Sequence, residues 1–255
     1  MDRLVFTAHT AMSEQRLDRQ SMTHELANVS TVGFKKAYQV ANRAVRTEGD
    51  GFDTRFLPRA FTTAAIDLKE GPRMITGRPL DIAMNDATVL GVRADDGSLA
   101  WTRRGDLRVD VEGFLTTGSG YPVLDESGAQ IQMPVGSVLY EVTEDGSISI
   151  MDPSAPENGS VPMARLLLRD ASEIDLGRRE DGLFRPLAQT EDGQDFVSGP
   201  RAASVTPGAL EGSNVSTVHT LVKFIDHMRS FEMQTKVIKE MKDNDASGAS
   251  MMRVS

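Results

Sequence analysis

Apolar residues recur near the start of the chain at Met1, Val5, Ala8 and Met12, then at Met22, Leu26 and Val29. The steps alternate between four and three, close to the 3.5-residue period of a coiled-coil seam. Gln15 and Arg19 fall on the same stripe and interrupt it. No Pro or Gly occurs before Gly33, so the spacing predicts one helix that stops at the Asn28-Val29-Ser30-Thr31 run. The last segment mirrors it, with a stripe at Val218, Leu221, Ile225, Met228, Phe231, Ile238 and Met241. Asn214 or Ser216 is placed to cap that helix and Asn244 with Gly248 to end it. At 1.5 Å per residue it is roughly 40 Å long.

Between the helices the period changes. Asp96-Gly97, Arg104-Gly105, Glu112-Gly113, Ser127-Gly128 and Asp145-Gly146 punctuate residues 80–150 at strand-plus-turn spacing. Leu107–Val111 and Ser147–Ile150 alternate as half-buried strands do, and Leu166-Leu167-Leu168 reads as a more buried one. Three prolines within residues 152–162 predict a loop. The expected fold is α+β: N- and C-terminal helices paired as a coiled-coil-like layer, with a central, mostly antiparallel β domain. The expected divisions are a helix and turn over 1–46, an extended connector over 47–79, a β-rich domain over 80–209 and a second helix over 210–255.

Charge sharpens this division. Residues 1–46 carry seven Lys/Arg against four Asp/Glu, residues 210–255 carry six of each, and residues 47–209 carry fifteen against twenty-seven. An acidic middle argues against a nucleic-acid interface, which needs a basic stripe. The near-neutral ends can pack against copies of themselves without strong repulsion. The 255 residues contain no cysteine, which excludes disulfides and thiolate metal sites. No apolar run approaches the ~20 residues that span a bilayer, and the N-terminus lacks the apolar core of a cleaved signal.

Candidate chemistry is thin. His24-Glu25 opens like a zinc-binding HExxH, but Asn28 stands where the second His belongs. His219 and His227 lie eight residues apart with no evident third ligand. The pairs Asp95-Asp96, Asp125-Glu126 and Glu144-Asp145 sit beside Gly turns, as solvated hairpin tips do. No catalytic constellation, cofactor site or metal site emerges. The apolar stripes of two long helices exceed what a thin β domain covers, so other subunits are expected to cover them. Such a contact, repeated without closure, builds a helical polymer.

Several segments carry a resemblance. Leu26-Ala27-Asn28-Val29-Ser30-Thr31-Val32-Gly33-Phe34-Lys35, Arg78-Pro79-Leu80-Asp81-Ile82-Ala83, Trp101-Thr102-Arg103-Arg104-Gly105, Gly120-Tyr121-Pro122-Val123-Leu124, Leu210-Glu211-Gly212-Ser213-Asn214-Val215 and Arg229-Ser230-Phe231-Glu232 occur in that order. With Pro79–Ala83 as the second matching stretch and Gly113-Phe114-Leu115 ahead of Gly120, they resemble the motifs of flagellar basal-body rod and hook proteins, the proximal-rod branch more than the distal. The resemblance implies a non-enzymatic subunit of the rod, the flagellar drive shaft, which polymerises through both terminal helices and transmits torque across the periplasm. It implies export by the flagellar type III apparatus without a cleaved signal. It also implies contacts with copies of itself and with other rod proteins. Residues singled out for subunit contacts are Val5, Met12, Met22, Leu26, Asn28, Gly33, Phe34, Leu210, Ser213, Asn214, Val218, Leu221, Ile225, Met228, Phe231 and Ile238. The alternative is a secreted β-domain binding or accessory module of the flagellum.

Overall fold

The structure, a computed structural model, describes residues 2–38, 43–46, 56–59, 65–134, 139–151, 159–188 and 193–252. It opens with helix α1 (Asp2–Ala27). Short strands follow: β1 (Ala37–Tyr38), β2 (Arg43–Arg46), β3 (Phe56–Arg59), β4 (Ala65–Ile66), β5 (Arg73–Ile75) and β6 (Ile82–Met84). Next come β7 (Thr88–Arg93), β8 (Leu99–Thr102), β9 (Leu107–Val109), β10 (Leu115–Thr117), β11 (Leu139–Val142) and β12 (Ser147–Met151). The last strands are β13 (Val161–Arg165), β14 (Leu168–Asp170), β15 (Leu176–Arg178), β16 (Phe184–Pro186), β17 (Val205–Pro207) and β18 (Ala209–Glu211). Helix α2 (Thr217–Met252) closes the chain. Among the described residues no helix is long and apolar enough to cross a membrane.

Two compact units result, each gathered from separate stretches of chain. One comprises Met1–Ala27, Val40–Thr62 and Ser216–Ser255, and holds both helices with the β2–β3 hairpin. The other comprises Asn28–Gln39 and Thr63–Val215, and its regular elements among the described residues are strands. Its largest sheet is antiparallel, in the order β1-β4-β15-β16-β8-β7-β14. A three-stranded sheet β11-β12-β13 and the pairs β9–β10, β17–β6 and β18–β5 complete it.

The two faces of β7 explain the core. Leu90 and Val92 join Ile82, Met84, Leu107, Leu115, Val123 and Ile148 in one apolar cluster. Val89 joins Trp101, Leu124, Leu167, Leu176, Phe184 and Phe196 in a second. The strand is covered on both sides, so it reads as an apolar run rather than an alternation. Gly91 lets the second layer approach: a Cβ there would sit 2.5 Å from Leu167 Cδ2. Trp101 packs on Phe196 with ring centroids 4.8 Å apart, a tilted aromatic pair.

The expected α+β class, with terminal helices paired in a coiled-coil-like layer, is corrected by this structure. The described chain is mostly β with two helices. A coiled-coil seam seats its apolar positions in holes of the facing helix. Here Val218, Leu221, Ile225 and Met228 are 74, 47, 44 and 39% exposed. Thr220 is the one fully buried residue among those described in α2, and none described in α1 is. Gln15 Nε2 donates to Ser230 Oγ at 3.2 Å, a polar link in place of an interdigitated seam. Periodicity located an apolar stripe but carried no information on what would cover it. Helix α2 also runs past Asn244 and Gly248. Its 36 residues correspond to ~54 Å.

Candidate functional site

Two features stand out, one in each unit. In the β unit, the segment leaving α1 and the segment leading to α2 lie side by side. Gly33 N donates to Glu211 O at 2.8 Å and Asn214 N to Phe34 O at 3.2 Å. Asn214 Oδ1 accepts from Lys36 N at 2.7 Å, while its Nδ2 donates to Asp67 O at 2.7 Å. One amide side chain therefore ties three segments of the junction, at residues 36, 67 and 214. On the N-terminal side, Thr31 Oγ1 donates to Asn28 Oδ1 at 3.1 Å, which closes the turn after α1.

Beneath this lies a buried ionic cluster. Glu211 Oε1 accepts from Lys35 Nζ at 2.5 Å and from Gly71 N at 2.9 Å. Glu211 Oε2 accepts from Arg103 Nε at 2.7 Å. The remaining nitrogens of Arg103 donate to the carbonyls of Asp86, Thr88 and Met84, and Lys35 Nζ also reaches Lys69 O at 2.6 Å. The side chains of Lys35 and Arg103 are fully buried and that of Glu211 is 1% exposed. Two cations thus share one carboxylate. Burial, and then the Arg103 charge, push the Lys35 ammonium down from its ordinary 10.5 to about 8, against the pull of Glu211.

Gly33 is fixed by this geometry. Its φ is +68°, and a Cβ would lie 2.2 Å from Arg103 O. Phe34 lies under the Arg178 guanidinium, 4.2 Å from the ring centroid. Arg178 also donates to Lys35 O. Within this cluster the charged groups are taken up by one another and by the backbone.

In the helical unit, α2 starts where Ser216 Oγ accepts from His219 N at 3.4 Å, a capping contact. Its covered side holds Thr220, Phe224, His227, Ser230, Phe231, Gln234 and Ile238. Its open side presents Val218, Leu221, Val222, Ile225 and Met228 to solvent. That is a contiguous apolar stripe over three turns, larger than the scattered exposed residues of ordinary surfaces.

The sequence-selected residues divide accordingly. Gly33, Phe34, Leu210, Ser213 and Asn214 lie in the junction, where Gly33 and Ser213 are buried. Asn28 stands at its edge. Val218, Leu221, Ile225 and Met228 form the open stripe, whereas Phe231 and Ile238 are half-buried on the other side. Met12, Met22 and Leu26 are half-buried in α1. Val5 lies in α1, with its side chain outside the described residues. The sequence reading missed Lys35, Arg103 and Glu211 as functional charges. Each lies inside one of the motif segments, and it is the fold that brings the three segments together.

The family profile described as "Flagellar basal body rod FlgEFG protein C-terminal" matches residues 206–251. A second, "Flagellar hook protein FlgE/F/G D1 domain", matches residues 87–150. The chain is 39% identical to the flagellar basal-body rod protein FlgF of Escherichia coli K12, over the full length of both. It is likewise 39% identical to FlgF of Salmonella typhimurium, again over both full lengths. The flagellar basal-body rod protein FlgG of Buchnera aphidicola from Schizaphis graminum is 25% identical, covering 92% of this chain and 94% of the relative.

Proposed function

The chain belongs to the flagellar basal-body rod protein family and is a structural subunit of the rod, and from that premise we propose that it enters the shaft through the open apolar face of α2. The observation that carries this is the exposed stripe Val218–Leu221–Ile225–Met228 on a long helix whose opposite side is already covered. Burying such residues is worth about 25 cal/mol per Å², and a repeated heterologous contact multiplies that along a polymer. Met12, Met22 and Leu26 would extend the contact from α1.

As a basal-body protein it works with other rod proteins. Contact with further copies of itself, periplasmic placement, torque transmission and passage through the flagellar export apparatus without a cleaved signal complete the reading. The junction around Asn214 and Glu211 holds the two chain segments at a fixed spacing, as a part that carries load needs. The test is a strain lacking the chain, complemented with the wild-type protein or with Leu221→Asp. Wild type should restore motility and complete rods. The variant should fold and fail to be incorporated, and normal rods built from it would sink the helix-face reading.

A further inference from the structure

Residues 72–79, Pro-Arg-Met-Ile-Thr-Gly-Arg-Pro, are exposed at every position yet held on one side along their length. Strand β5 pairs with β18 in the register Arg73↔Glu211, Met74↔Leu210 and Ile75↔Ala209. Gly208 O accepts from both Thr76 N and Gly77 N, and Gly212 N donates to Pro72 O. Among the described residues the other edge of β5 pairs with nothing. At its end Ile75 is 92% exposed, with Met74 46% exposed beside it.

An ordered, open strand edge carrying apolar side chains is a template for another chain, and proteins ordinarily blunt it. Here Met74 and Ile75 stay exposed on that edge. Arg73 and Arg78 flank it. Arg73 reaches Glu70 at 2.8 Å and Thr206 at 3.3 Å, and Arg78 reaches Asp81 at 3.3 Å and Leu107 O at 3.1 Å. Each guanidinium has five N–H donors, so both retain donors for a further acceptor. The segment contains no carboxylate, whereas the β unit as a whole carries fifteen Lys/Arg against twenty-five Asp/Glu, a net −10. An apolar edge between two arginines is complemented in charge by the net-acidic β unit of another copy.

The geometry points to the 72–79 ridge as a second assembly surface, which docks on the acidic β unit of a neighbouring copy of this chain. This rests on the rod-subunit reading and adds to it a contact outside the helices. Because the ridge itself carries no carboxylate, it and the surface it meets are different, so the contact is heterologous, the kind that builds a helical polymer where its rotation does not close.

The absence of cysteine gives a clean probe. Ile75→Cys should react with a maleimide in the purified full-length protein and be protected at least tenfold in isolated basal bodies. A photo-crosslinking phenylalanine analogue at position 75 should capture a second copy of this chain. Equal reactivity in both preparations overturns the proposal, as does crosslinking only to a different protein. Ile75→Asp should reduce incorporation about tenfold while leaving the thermal transition of the free protein unchanged. If Leu221→Asp blocks incorporation and Ile75→Asp does not, the ridge fails and the rod reading stands. If wild-type protein is missing from basal bodies, the rod reading itself fails.

Discussion

Glu211 is the residue on which the junction turns, because two buried cations depend on it. Removing one partner of a buried pair leaves an uncompensated charge and costs about 3–5 kcal/mol. Glu211→Ala strands both Lys35 and Arg103, so equilibrium denaturation should show a loss in that range or above. Lys35→Met leaves the Arg103–Glu211 pair intact and neutral, and should cost far less. The Lys35 ammonium also has a pH signature. Its value is about 8 in the folded chain against 10.5 when free, so between those values the unfolded chain binds the proton more readily. Stability contributed through this group therefore rises as pH climbs from about 8 to 10.5. The denaturation midpoint of wild type relative to Lys35→Met should increase across that window, and a flat difference would contradict the assignment. Gly33→Ala meets both a positive φ and the Arg103 carbonyl, so a loss of at least about 2 kcal/mol is expected in the same assay.

At the scale of elements, the turn glycines were readable because geometry demands them. Gly97, Gly113, Gly128 and Gly146 all adopt positive φ where turn dipeptides break the pattern. Both helices were readable from their periods. Sheet order was not: β4 pairs with β15 and β16 with β8, and no local period records a partner more than a hundred or eighty residues away. The coiled-coil layer failed for a related reason. Heptad spacing in α2 supports two faces at once, one through Phe224, His227 and Phe231 and one through Val218, Leu221, Ile225 and Met228. Sequence alone chose a stripe mixed from both. The junction charges were overlooked because Lys35, Arg103 and Glu211 are ordinary surface residues until the fold brings them together. Of the two residues placed to cap α2, Ser216 makes the contact, whereas the Asn214 side chain is taken up by Lys36 N and Asp67 O. Ser216→Ala should cost about 1 kcal/mol of helix stability, seen as lower helical signal and faster amide exchange in the first turn of α2.

For the whole molecule, the β unit is discontinuous in sequence, and that discontinuity is testable. It needs Asn28–Gln39 as well as Thr63–Val215. Strand β1 supplies the edge partner of β4, and Lys35 supplies one of the two cations on Glu211. A fragment spanning 28–215 retains all of these, and the intervening chain adds only a modest loop-closure cost. A fragment spanning 47–209 discards Lys35 and Glu211 together, which leaves Arg103 buried against carbonyls with no carboxylate. The chain's one tryptophan reports directly on this, because Trp101 is fully buried against Phe196. The 28–215 fragment should show the blue-shifted Trp101 emission of the full chain and a single cooperative transition. The 47–209 fragment should emit as a solvent-exposed indole or melt without cooperativity. If the shorter fragment matches the longer one in both emission and transition, the ionic junction is dispensable for the β fold. Its role would then be confined to holding the two outgoing segments in place.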